Sequence, residues 1–207
     1  MSSHSNRRLF GKIAKEYNLV YFGNVNPKVD TDYKMVRGVT VSPDVRDENY
    51  TVGTVGEHEI VFLERTHKVE VARGKWNKYH WTMLQITVKD IDIPHIFVDS
   101  FYRRTTIGNL IMSVLRLPEI PWQNFSPDAN FSKAFTLYAR PHAIQFVRKL
   151  FMIDMQKNLM EDFYKFDFEL FNDKIIVYAT NQKIDLPVLH HMLRAGLLLA
   201  KKIEDDR

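Results

Sequence analysis

Asp90, Asp92 and His95 are the residues best spaced for acid–base chemistry. The two carboxylates stand two apart at the end of a strand-forming run, and an extended backbone puts such residues on one face. Proton transfer needs titratable groups in unlike surroundings, and an imidazole follows directly after Pro94. The competing reading is structural, because Asp at a strand end is common turn chemistry. Arg103 and Arg104 stand just before Thr105 and Thr106, where a helix can begin. Two guanidiniums beside free helix N–H groups make a candidate anion or ligand contact. His190 and His191 diverge by about 100° on a helix and cannot chelate one ion. With Arg194 and Lys201 they form a polar stripe. His58 and His67 lie in strand-type segments among Glu59, Glu64 and Glu70. Cross-strand ion pairs account for that composition without a metal.

Other chemistries lack their motifs. The eight glycines form neither G-x-G-x-x-G nor a Walker-type loop, so a Gly-rich nucleotide cradle is excluded. Gly-x-Ser-x-Gly is missing as well. With no cysteine, thiol nucleophiles, disulfides and thiolate zinc sites fall away, and no catalytic, cofactor or metal residues are assigned. The pI of 9.1 raises nucleic-acid binding, but charge placement argues against it. Residues 1–80 carry 13 Lys/Arg against 10 Asp/Glu, and residues 81–207 carry 16 against 15. Phosphate affinity needs clustered cations, and in sequence these are only pairs. Neither a signal-type apolar stretch nor a run of about 20 apolar residues is found. A cytoplasmic location with no membrane span is the expectation.

These side chains need a scaffold. An amphipathic pattern predicts a helix from Arg7 to Tyr17, then a short buried-type strand at 19–22 stopped by Gly23. Strand signals run from Tyr33 to Ser100, with Gly38 marking a bulge, residues 43–49 a polar loop, and a hairpin turning at Gly56. Ile60, Val61, Phe62 and Leu63 are apolar on both faces and predict a central strand. Trp81 to Val88 and His95 to Asp99 continue the meander. Thr105 or Thr106 caps a helix through Leu115. Three prolines between Leu117 and Pro127 break regular structure, so a subdomain boundary is placed at 117–130 within one domain, 1–207.

The last third predicts a strand at 135–139, Pro141 opening a helix that drifts on towards Phe163, and a half-buried strand in which Phe166, Phe168 and Leu170 alternate with Asp167 and Glu169. Asn172-Asp173 turns a hairpin, and Asp185 caps a final helix to about Lys202. That helix is apolar over a wide arc, which demands either a central position or a partner chain. Leu189, Leu193 and Leu197 are the candidate homodimer interface.

The segments Phe135 to Pro141 and Asp167 to Tyr178, with Leu19 to Gly23 and Val36 to Thr40 upstream, resemble uncharacterised bacterial domain families. Members are often tethered to membranes by N-terminal helices, a pattern from which this sequence is expected to depart. The resemblance transfers no catalytic residue. The resulting expectation is an α+β fold, with an antiparallel, mostly N-terminal sheet packed with a C-terminal β-α-β-β-α unit. The preferred function is a non-enzymatic binding or scaffold protein, homodimeric through the last helix. The alternatives are an enzyme without a recognisable motif using Asp90, Asp92 and His95, and a nucleic-acid-binding protein.

Overall fold

The computed structural model describes residues 3–25, 46–101, 116–121, 128–180 and 182–205. Arg103, Arg104, the helix expected after Thr105 and the bulge at Gly38 lie outside them. Helix α1 (Ser3–Glu16) leads through Asn18, at φ 55°, into β1 (Val20–Gly23). Four strands follow: β2 (Arg46–Val55), β3 (His58–Ala72), β4 (Lys75–Thr87) and β5 (Ile93–Ser100). After β6 (Glu119–Ile120) come α2 (Ala129–Ala134), β7 (Phe135–Ala139), a 3₁₀ turn (Pro141–Ala143), α3 (Ile144–Leu150) and α4 (Ile153–Asp162). The hairpin β8 (Asp167–Asn172) and β9 (Lys174–Thr180) precedes α5 (Leu186–Asp205).

Every pairing among these strands is antiparallel, in the order β1-β2-β3-β4-β9-β8-β5-β7-β6. The fold is α+β, as expected, but its halves interleave. The β8–β9 hairpin inserts between β4 and β5, so strands from both sides of residues 117–130 share one sheet. The β2–β3 hairpin turns at Gly56 with Val55 opposite His58. Asn172 takes φ 54° and Phe171 pairs with Lys174. A carboxamide side chain tolerates that backbone, as the turn requires.

One sheet face carries Ile60, Phe62, Leu84, Ile86, Val98, Leu137, Phe168, Leu170 and Val177, and all the described helices supply side chains to this core. Helix α5 lies against β4 and β9 and also touches α1 and α3. Three-sided contact explains its wide apolar arc. Leu189 and Leu193 are fully buried in the chain's own core, and Leu197 is half-buried. Gly196 permits the approach: a Cβ there would sit 2.6 Å from Ile86 Cδ1. On this face Thr82 is fully buried, and its hydroxyl has no hydrogen-bond partner among the described residues. An orphaned buried hydroxyl costs free energy that an apolar isostere does not. Thr82→Val is therefore expected to raise the melting temperature by roughly 2–4 °C, read by thermal melts, for about 1 kcal/mol gained. An unchanged or lower value would show that Thr82 is satisfied.

Three local expectations need correction. Residues 46–49 are strand, not loop, because Asp47 and Asn49 are buried by partners on β3. Strand β1 is an edge rather than an interior strand, with Val20 57% and Phe22 61% exposed. The helix opened by Pro141 breaks at Phe151, whose ψ of 52° ends α3 before α4 begins.

Candidate functional site

The opposite face of the sheet carries the side chains able to do chemistry. Strand alternation points Leu63 and Arg65 of β3, Trp81 and Met83 of β4, Tyr178 and Thr180 of β9, Asp167 and Glu169 of β8, and Phe97 and Asp99 of β5 to this side. No described helix joins the apolar cluster here, which includes Tyr50, Val61, Leu63, Trp81, Met83, Phe97, Ile176 and Tyr178. Polar groups are set among these apolar side chains, and each has partners.

At one end Arg65, 0% exposed, holds Asp47 through two 2.7 Å hydrogen bonds, from Nε to Oδ1 and from Nη2 to Oδ2. The irregular register between Glu48 and Thr51 lets Asp47 face Arg65 directly. Burial, reinforced by the Asp47 charge, pushes the Tyr50 phenol up to about 12. At the centre Glu169, 1% exposed, accepts from His95 Nε2 at 2.7 Å and from the Tyr178 hydroxyl at 2.5 Å. The His95 ring also lies against Phe171, 5.4 Å between centroids. Beside it Asp167 accepts from the Ser100 N–H at 2.9 Å and the Thr180 hydroxyl at 3.0 Å. Burial raises Asp167 to about 8, with the neighbouring Asp99 charge adding to the rise. Burial raises Asp99 to about 6, and a hydrogen bond from Asp167 opposes that shift. Two carboxyls this close hold one proton between them near neutral pH.

The helix-covered face has its own network. Glu64 accepts from Asn6 at 2.6 Å, Asn49 at 2.5 Å and His80 at 3.3 Å, and Tyr21 donates to Asn49 at 2.7 Å. It ties α1 and β1 to the sheet.

These contacts place the residues singled out from sequence. Asp90 and Asp92 are exposed in the β4–β5 turn, with Asp90 at φ 57°. His95 turns to Glu169, and no hydrogen bond joins it to either aspartate, so the expected trio does not assemble. His190 meets Glu16 at 3.1 Å and the Tyr17 ring edge-on, while Arg194 meets Asp162 at 3.2 Å, consistent with a solvated stripe. His58 pairs with Glu204 at 3.7 Å; the side chain of His67 lies outside the described residues. Sequence reasoning missed Asp99, Asp167, Glu169 and Tyr178, and took Asp167 and Glu169 for a solvent face. The signal lay in β9, where Ile175, Ile176, Val177 and Tyr178 are apolar on both sides, so its neighbour β8 also had to be covered twice.

Tyr178→Phe tests the central network, because it strips a donor from a buried carboxylate. A loss of about 1.5–3 kcal/mol is expected in equilibrium unfolding. Glu169→Gln together with Tyr178→Phe should cost less than the two single losses added, since the pair is coupled. Strict additivity would dissolve the network as a unit.

Next to Phe171 the same face opens into a cleft of about 400 Å³, lined by β2, β3, β4 and the β8–β9 turn. Lys174 is part of the lining, its Nζ donating to Thr87 Oγ1 at 3.0 Å and to Asp173 Oδ2 at 2.8 Å. Val52, Val61 and Phe171 supply apolar surface; Thr54, Glu59 and Gln85 add polar groups.

No described helix is long and apolar enough to cross a membrane. No family model matches the chain, and no curated protein matches it. Among solved structures the chain is similar to the crystal structure of the mycobacterial trehalose monomycolate transport factor A, TtfA, with a TM-score of 0.57 at 11% identity, covering 95% of this chain and 93% of that one. At that identity the two share a fold.

Proposed function

We propose that this chain is a non-enzymatic binding protein that takes its ligand on the helix-free face of the sheet. The observation that carries the reading is the cleft of about 400 Å³, a size within the roughly 300–1,000 Å³ of small-molecule sites. The state of the titratable groups elsewhere on this face supports it. Glu169, Asp167 and Arg65 are engaged by protein donors and acceptors, an arrangement that stiffens a binding surface and suits a reacting atom poorly. The fold shared with a protein named as a transport factor is in keeping with binding rather than turnover.

The test needs no knowledge of the ligand. Amide NMR spectra of the labelled chain, recorded with and without a low-molecular-weight cell extract, should change at Gln85, Thr87, Phe171 and Lys174. Changes confined to other surfaces, or none, would overturn the reading. Of the three leucines expected at a homodimer interface, Leu189 and Leu193 are buried in the chain's own core and Leu197 is half-buried. Light scattering over a range of concentrations decides that question separately.

A further inference from the structure

We propose that the cleft binds a neutral polyhydroxylated ring, a saccharide in chemical class; this rests on the binding reading above. Charge balance is the first argument. The Lys174 ammonium is already compensated by Asp173 at 2.8 Å, and Glu59 also lines the cleft. An added phosphate or carboxylate would find Lys174 already paired and Asp173 and Glu59 nearby, a penalty that a neutral ligand avoids.

Hydrogen-bonding capacity is the second argument. Thr87 accepts from Lys174 and keeps its own hydroxyl proton for donation; Thr54 and the Gln85 carboxamide can both donate and accept. An ammonium has three donors, two of which are assigned for Lys174. Such a mixed set suits sugar hydroxyls, which also donate and accept. The third argument is shape. Val52, Val61 and the Phe171 ring give the cleft an apolar surface for the C–H face of a pyranose, while the polar groups stand around it. Phe171 is held against the His95 ring, which Glu169 anchors, so this platform is fixed before any ligand arrives.

The test is an amide-shift titration of the full chain with maltose, glucose 6-phosphate, hexanol and octyl maltoside below its micelle concentration. Maltose should produce saturable shifts at Gln85, Thr87, Phe171 and Lys174, and glucose 6-phosphate and hexanol weaker ones. Phe171→Ala, and separately the near-isosteric Thr87→Val, should weaken maltose about five- to tenfold while the spectrum away from the substituted residue and its neighbours stays that of the folded parent. Octyl maltoside binding far tighter than maltose would identify the ring as a lipid headgroup, and equal binding would identify free sugar; both support the inference. Stronger binding of the phosphate or of hexanol at these residues overturns it and leaves the binding reading standing. Silence from every probe also overturns it, and the extract experiment then decides the broader reading alone.

Discussion

Arg65→Met should lower the melting temperature by on the order of 10 °C. The guanidinium is 0% exposed and forks onto Asp47, itself buried, across the β2–β3 ladder. A buried ion pair contributes little net stability, because desolvating two charges costs about as much as their attraction returns. Removing one partner differs from removing both: the Asp47 carboxylate would stay buried with the Arg65 guanidinium gone. Broken buried pairs cost about 3–5 kcal/mol, and a protein of this size loses roughly 2–4 °C per kcal/mol. The double substitution Arg65→Met with Asp47→Leu should recover most of the loss, since no charge is then stranded. Thermal melts of the four proteins form a double-mutant cycle with a coupling larger than an exposed pair can give. Should Arg65→Met melt like the parent, the pair carries no such role.

That pair also marks the limit of what the sequence discloses. Asp47, Glu48 and Asn49 read as loop because three polar residues in a row carry no strand signal, yet the partners that make them strand are Glu64 and Arg65. The pairing depends on a register irregularity between Glu48 and Thr51, which composition does not encode. Local devices were legible: the turn at Gly56, the positive-φ Asn172, the Asp185 side chain accepting from the Val188 N–H at 3.0 Å, and the wide apolar arc of α5. Each is decided by residues a few positions apart or by one apolar face. The placement of β8–β9 between β4 and β5 is decided by contacts some ninety residues apart in sequence, as Met83 opposite Tyr178 illustrates.

The site was hidden for a related reason. Asp167 and Glu169 alternate with Phe166, Phe168 and Leu170, the pattern of a strand with one wet face. Alternation reports that two faces differ; it does not report that the polar one meets water. Here the polar side chains face a second apolar cluster and each other. His95 was singled out with Asp92 and Asp90, three and five positions before it, but its partner Glu169 lies 74 positions away.

The consequence of burying those acids is a stability that depends on pH in a definite direction. In the unfolded chain Asp99 and Asp167 titrate near 3.8; in the folded protein burial raises them to about 6 and about 8. Between those limits the folded state holds more protons than the unfolded one, so stability falls as pH rises. The contribution is fully present below about pH 4 and is lost as pH climbs through 6 to 8. Each unit of displacement corresponds to about 1.4 kcal/mol, so even part of the shift moves the melting temperature by several degrees. Asp167→Asn imitates the protonated acid. Its carboxamide oxygen can accept from Thr180 or Ser100 while its N–H₂ donates to Asp99, and it cannot ionise. Melting temperatures measured from pH 5 to pH 8 at constant ionic strength should therefore fall with pH in the parent and run flatter in the variant, with the variant gaining on the parent at pH 8. Parallel profiles would mean that the proton is not shared at Asp167, and the central carboxyl pair would then have to be ionised throughout.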